Sequence, residues 1–170
     1  EQRHARHAGN PFGRQWFPIP RFDGSSEVDA AIAMNRAAAD LNAFLDQRLS
    51  EEGLAPSALA LIGFSQGAMM SLHVAPRRAT AMAGVVAISG KLMVPKVLAS
   101  EAKVKPPVLL IHGDQDDVVP FGEMQAAGNA LVAAGFPTYG HVMKGTGHGI
   151  APDGVGMALN FIRERLGIGQ

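Results

Sequence analysis

The sequence holds 170 residues, 47% hydrophobic and 18% charged, with 15 basic residues set against 15 acidic ones and no cysteine. That length and composition suit a single soluble globular domain over residues 1–170 with a substantial core, and a balanced charge gives no field to draw in nucleic acid or an anionic membrane surface. The lack of cysteine excludes disulfides, thiolate metal sites and a cysteine nucleophile and fits a reducing, cytoplasmic setting; no apolar run reaches the roughly 18 residues of a membrane span, and no signal peptide is visible.

Residues 1–24 are predicted to be irregular. Gly9, Pro11, Gly13, Pro18, Pro20 and Gly24 interrupt any long element, and His4 and His7 belong to a polar tail. Within this segment Gly13-Arg14-Gln15-Trp16-Phe17-Pro18 carries the single tryptophan. An aromatic pair in a proline-bounded loop either lines a binding cleft or caps the core, and residue type alone leaves both open. A long amphipathic helix is predicted over 26–50. Ser26 with Asp29 forms a capping pair, and Ala30, Met34, Ala37, Leu41, Leu45 and Leu49 follow the helical period. It stops at Glu51-Glu52-Gly53, with Pro56 in the linker that follows.

An apolar strand then runs from Leu59 into Gly63-Phe64-Ser65-Gln66-Gly67, and helix-type spacing continues to about residue 77, ending near Pro76. Further strands are predicted at Met82–Ser89, Val108–Gly113 and Thr138–Met143. A helix from about Pro120 to Ala134 has proline at its start and Gly135 at its end. A last helix begins near Pro152, with Val155, Leu159, Ile162 and Leu166 on its apolar face. Strands that alternate with helices and read as continuous apolar runs imply a parallel sheet covered on both sides, joined by right-handed crossovers. Sites in such sheets form at the carboxyl ends of the strands.

Three of those ends carry reactive residues. The first is G-x-S-x-G between a strand and a helix, the context of a nucleophile elbow; Gly63 and Gly67 are expected to spare the tight turn a Cβ, and Ser65 to stand at a helix N-terminus. The motif is short enough to arise by chance, so its neighbours must carry weight. The third strand runs into His112-Gly113-Asp114-Gln115-Asp116-Asp117-Val118-Val119-Pro120, and the fourth into Lys144-Gly145-Thr146-Gly147-His148-Gly149. Serine, aspartate, histidine in that order is what acyl transfer by a hydroxyl needs. The hydroxyl requires a base, and the base requires an acceptor that fixes its tautomer and stabilises its cation. Spacing does not choose among Asp114, Asp116 and Asp117. The bland alternatives are an exposed loop histidine and aspartates that cap a helix; taken together, the three strand ends favour catalysis. His73 reads as a surface or packing residue, and His141 lies within a strand.

These motifs, with Gly13–Pro18, resemble the bacterial carboxylesterase/phospholipase family that includes the acyl-protein thioesterases, from about residue 9 to the last helix. The resemblance implies an α/β-hydrolase fold, a parallel sheet flanked by helices, lacking the family's N-terminal strands. It implies Ser65 as nucleophile, His148 as base and Asp116 as acid member, four residues after the histidine of the His-Gly pair, His112. Gln66 would give its backbone N–H to the oxyanion hole, and Trp16 and Phe17 would contact substrate at the acyl pocket. The implied activity is a serine carboxylesterase acting on small or medium acyl esters, with no cofactor and no metal. The rival readings are a catalytically weakened binding protein and an acyl-protein thioesterase or lysophospholipase.

The family's glycine-rich His-Gly loop, which supplies a second oxyanion N–H, matches nothing in residues 1–56, and the chain begins at Glu1 rather than methionine. The strand ending at Ser65 is therefore expected at a bare sheet edge, covered by a second copy of the chain in a homodimer or by the N-terminal segment folding back.

Overall fold

A computed structural model describes residues 14–169; the expectations placed on residues 1–13, including His4, His7 and Gly13, lie outside the described residues. The chain divides into two compact units, residues 1–48 and 49–170.

In the first unit the segment through residue 24 is not wholly irregular: Pro20–Asp23 forms a one-turn helix, α1. Asp23 organises it. One carboxylate oxygen accepts the Ile19 N–H at 2.8 Å, and the other accepts the Ser25 N–H and hydroxyl at 3.0 and 2.6 Å. Those bonds, the Ser25 hydroxyl first, hold the carboxyl at about 2, below its ordinary value. Then Ser26 and Asp29 cap as expected, the Ser26 hydroxyl accepting the Asp29 N–H at 3.0 Å and donating to its carboxylate at 2.7 Å. They open α2, Glu27–Glu52, whose buried positions are Ala30, Met34, Ala37 and Leu45. The helix ends where Gly53 takes φ +63°, a left-handed stop suited to glycine.

The second unit is built on four parallel strands in sequential order: β1 Ala60–Phe64, β2 Gly84–Ile88, β3 Val108–Gly113 and β4 Thr138–Met143. Because side chains alternate along a strand, each central strand feeds two cores. Val85, Ala87, Val108 and Leu110 pack with Ala68 and Leu72 of α3 (Gln66–Val74) and with Ala127 and Leu131 of α5 (Gly122–Ala133). Val86, Ile88, Leu109 and Ile111 face the other way, onto Ala158 and Phe161 of α6 (Pro152–Leu166). A 3₁₀ turn at Ala75–Arg77 closes α3, and a second at Pro95–Val97 leads into a short helix, α4 Leu98–Glu101, which the sequence reading did not identify.

One expected face holds only in part. On α6 the buried residues are Gly154, Ala158 and Phe161; of the expected face Ile162 packs against the core and Leu166 is half-buried, whereas Val155 and Leu159 are 46% and 53% exposed. The helix carries two apolar stripes, and the sheet takes the one with small residues. A Cβ at Gly154 would collide with Met143, so only that stripe permits close approach.

β1 is an edge strand among the described residues, as expected. Its Ile62 is 55% exposed, while every residue of β2 and β3 is buried.

Candidate active site

Ser65 closes β1 and opens α3 with φ 53° and ψ −119°, a left-handed backbone that a residue with a Cβ adopts only under constraint. The constraint is visible around it. Its N–H donates to the Ile88 carbonyl at 2.9 Å, and its own carbonyl accepts the Met69 N–H at 3.1 Å. A Cβ on Gly63 would overlap the backbone of Gly67 and Ala68, so that glycine is obligatory. Gly67 is not what the sequence suggested: a Cβ there would meet nothing within 4 Å, because the position lies on the open side of the first helical turn. Gln66 is the first residue of α3, where a helix's own hydrogen-bond ladder does not consume the amides.

At the end of β3 the chain turns tightly and buries Asp116, whose side chain is shielded from solvent. Its Oδ1 accepts the N–H groups of Val118 and Val119 at 3.0 and 2.9 Å, and its Oδ2 lies 2.8 Å from His148 Nδ1. His148 Nε2 is in turn 3.0 Å from Ser65 Oγ. With a carboxylate on one side, Nδ1 carries the proton and donates it, leaving Nε2 to accept from the serine hydroxyl. Burial by itself would raise the Asp116 carboxyl. That is the largest single effect, but the His148 hydrogen bond, the Val119 N–H, the attraction of His148 and the Val118 N–H together overcome it, and the group is held below its ordinary value.

Two further groups frame this chain of bonds. The buried His112 donates Nε2–H to the Val119 carbonyl at 2.9 Å, closing the turn that holds Asp116. The Phe64 ring lies 4.8 Å from the His148 ring, tilted by 41°. The structure thus brings together Ser65, Asp116 and His148, three strand ends apart in sequence. Asp117 is exposed and Asp114 contacts another part of the His148 loop, so neither competes for His148 Nδ1. Trp16 is half-buried and Phe17 buried.

Ser89 escaped the sequence reading. It directly follows β2 with φ 50°, is fully buried, and its hydroxyl has no hydrogen-bond partner among the described residues. Gly90 beside it packs so tightly on Ala68 that a Cβ would strike the Ala68 side chain. Serine carries no signal of left-handed backbone as glycine does, so only the unusual pairing Ser89-Gly90 at a strand end could have drawn attention to it. A groove of about 480 Å³ between α5 and β4, lined in part by Met124, Val132 and Tyr139, holds none of the three converging residues. Among the described residues no cluster of three or more acidic or histidine side chains is arranged to hold a metal, and no helix is long and apolar enough to cross a membrane.

A family model described as phospholipase/carboxylesterase matches residues 3–166. Esterase YpfH of Escherichia coli (strain K12) is 30% identical over 159 residues, covering 94% of this chain and 66% of that protein. Acyl-protein thioesterase 1 of Saccharomyces cerevisiae is 32% identical over 160 residues, covering 89% and 68%. The crystal structure of esterase PE8 superposes with a TM-score of 0.87 at 39% identity, over 96% of this chain and 76% of that one. The chain spans about two thirds of the length of the curated relatives it matches.

Proposed function

This chain belongs to the phospholipase/carboxylesterase family of α/β-hydrolases, and we propose that it is a serine hydrolase that cleaves carboxylic esters through an acyl-enzyme. The observation that carries the reading is the unbroken line of contacts Ser65 Oγ–His148 Nε2 at 3.0 Å and His148 Nδ1–Asp116 Oδ2 at 2.8 Å. His148 takes the Ser65 proton as Oγ attacks the ester carbonyl carbon, and the Gln66 N–H receives the charge that develops on the carbonyl oxygen. The tetrahedral intermediate collapses, the C–O bond to the alcohol breaks, and His148 returns the proton to the leaving oxygen. A water deprotonated by His148 then attacks the acyl carbon, releasing the acid and restoring Ser65. Asp116 holds the imidazole tautomer and stabilises its cation.

The substrates are small-molecule esters with small or medium acyl chains. Trp16 and Phe17 as substrate contacts rest on the family resemblance alone. Thioester hydrolysis is the second reading, favoured by the likeness to acyl-protein thioesterase 1; the same three residues would serve it, and paired assays on a p-nitrophenyl ester and an acyl thioester of equal chain length rank the two. The edge position of β1 among the described residues, with Ile62 exposed, supports a homodimer that covers it, which a monodisperse monomer by light scattering at micromolar concentration would exclude. Cytoplasmic placement agrees with the cysteine-free sequence, and cell fractionation tests it.

A fluorophosphonate probe tests the central reading. It is expected to label Ser65 stoichiometrically in the folded protein, and Ser65→Ala to abolish both labelling and p-nitrophenyl ester hydrolysis while leaving the fold intact. Turnover retained by Ser65→Ala would refute the assignment.

A further inference from the structure

The loop carrying His148 is tied to the end of β3 by a side chain that takes no part in the chemistry. We propose that Asp114 is a positioning residue for His148: by accepting the Gly145 N–H, its carboxylate fixes the 144–149 loop where His148 Nε2 meets Ser65.

Asp114 Oδ1 accepts that N–H at 2.7 Å, across 31 residues of sequence. Two backbone bonds lace the same strand end to the same loop, the Asp114 N–H to the Met143 carbonyl at 3.3 Å and the Gln115 N–H to the Thr146 carbonyl at 3.0 Å. They bracket Gly145 and leave its own amide to the carboxylate. Gly145 sits at φ +67°, a conformation open to glycine at little cost and therefore easily lost when nothing holds it. The approach is close elsewhere too: a Cβ on Gly113 would run into the carbonyl oxygens of Thr146 and Gly147. Three residues beyond Gly145, His148 has one side against Phe64 and its two nitrogens committed to Asp116 and Ser65. A loop that pivots at Gly145 moves the imidazole away from both.

The carboxylate has a second contact, Oδ2 to Lys144 Nζ at 3.5 Å, but that lysine is 84% exposed. An ion pair so open to water contributes little, whereas an N–H bonded to a charged oxygen is among the stronger hydrogen bonds. The geometry therefore separates acceptor from charge. Asparagine at 114 keeps an oxygen for the Gly145 N–H and loses only the ion pair; alanine loses both.

The inference rests on the triad reading, and its test is chosen to part the two. With a p-nitrophenyl ester, and kcat normalised to sites titrated by fluorophosphonate, Asp114→Ala is expected to lower kcat about 10–100-fold, with KM within about twofold. Asp114→Asn is expected to stay within about threefold of the parent, and Lys144→Ala to match it. In the same variants hydrogen exchange of the Gly145 amide should accelerate in Asp114→Ala but not in Asp114→Asn. Parental kcat in Asp114→Ala, or equal losses in the alanine and asparagine variants, would overturn the proposal. Unchanged Gly145 exchange in Asp114→Ala would overturn it even if the parent protein hydrolysed no ester, an outcome that would count separately against the triad.

Discussion

Among the described residues of the second unit, two histidine–carboxylate contacts are nearly equal in length; a third, His112 Nε2 to Asp116 Oδ2, is longer at 3.4 Å. His148 Nδ1 stands 2.8 Å from Asp116, and His141 Nε2 stands 2.7 Å from Asp153. Both aspartates are held below their ordinary value. For Asp153 the His141 hydrogen bond is the leading cause, set against desolvation; for Asp116 the effect of burial comes first and is overcome. The differences lie around the pairs. Asp153 has a side chain 52% exposed in the first turn of α6, where the helix dipole favours a carboxylate in any case. Asp116 is shielded, with two backbone amides on its other oxygen. His141 spends its outer nitrogen on the carboxylate. His148 uses the inner one, which leaves Nε2 facing a serine on a strained turn. A histidine–aspartate contact and a lowered carboxyl value therefore do not identify a base; the nitrogen left over does.

Removing the histidines separates the pairs most sharply. His148→Ala is expected to lower kcat for ester hydrolysis by about 10⁴–10⁶-fold, and His141→Ala to leave it within about twofold. Comparable losses in steady-state assays would mean that the comparison is misdrawn. The aspartates come next. Asp116→Asn should cost about 10²–10⁴-fold in kcat through the wrong imidazole tautomer, while Asp153→Asn and Asp117→Asn stay near parental activity. If Asp117→Asn matched Asp116→Asn, the acid member would have been misassigned.

Much of the framework could be read from the chain because the strands are bounded by residues with one structural meaning. Val108–Gly113 lies directly after Pro106-Pro107, and Thr138–Met143 follows the helix that Gly135 ends. The order serine, aspartate, histidine after β1, β3 and β4 survives any error of a residue or two in the boundaries. What could not be read depends on tertiary packing. Periodicity pointed to Val155, Leu159, Ile162 and Leu166 on α6, but the close fit of Gly154 against Met143 turns the neighbouring stripe of Gly154, Ala158 and Phe161 to the sheet. Pro95–Glu101 is too short to show a period. Spacing left three aspartates equal; the amides of Val118 and Val119 distinguish Asp116 only once the turn is folded.

The elbow glycines give a contrast of the same kind. Gly63→Ala places a Cβ into the backbone of Gly67 and Ala68, which cannot yield as a flexible side chain would, and should cost about 3 kcal/mol or more in urea unfolding or prevent folding. Gly67→Ala, with open space around the new atom, should fold within about 1 kcal/mol of the parent. Equal effects would show that the turn relaxes and that Ser65 is not rigidly held.

A third histidine extends the comparison to one without any carboxylate in contact. His73 is buried in α3, and its Nδ1 has no hydrogen-bond partner among the described residues. Desolvation, then the nearby Arg77 charge, depress its value from 6.5 to about 4, with Glu101 opposing. The unfolded chain thus binds a proton near pH 6.5 that the folded chain refuses until about pH 4. Stability from this group is fully present above pH 6.5 and is lost as the pH falls toward 4. The whole loss is at most on the order of 3 kcal/mol. Urea unfolding of the parent between pH 7.5 and about 5, a window in which carboxylates stay charged, should show that slope. In His73→Leu, whatever its stability at the upper end, the slope should be shallower. Parallel curves for parent and variant would mean that His73 finds a partner for its proton, and that its burial costs the fold nothing.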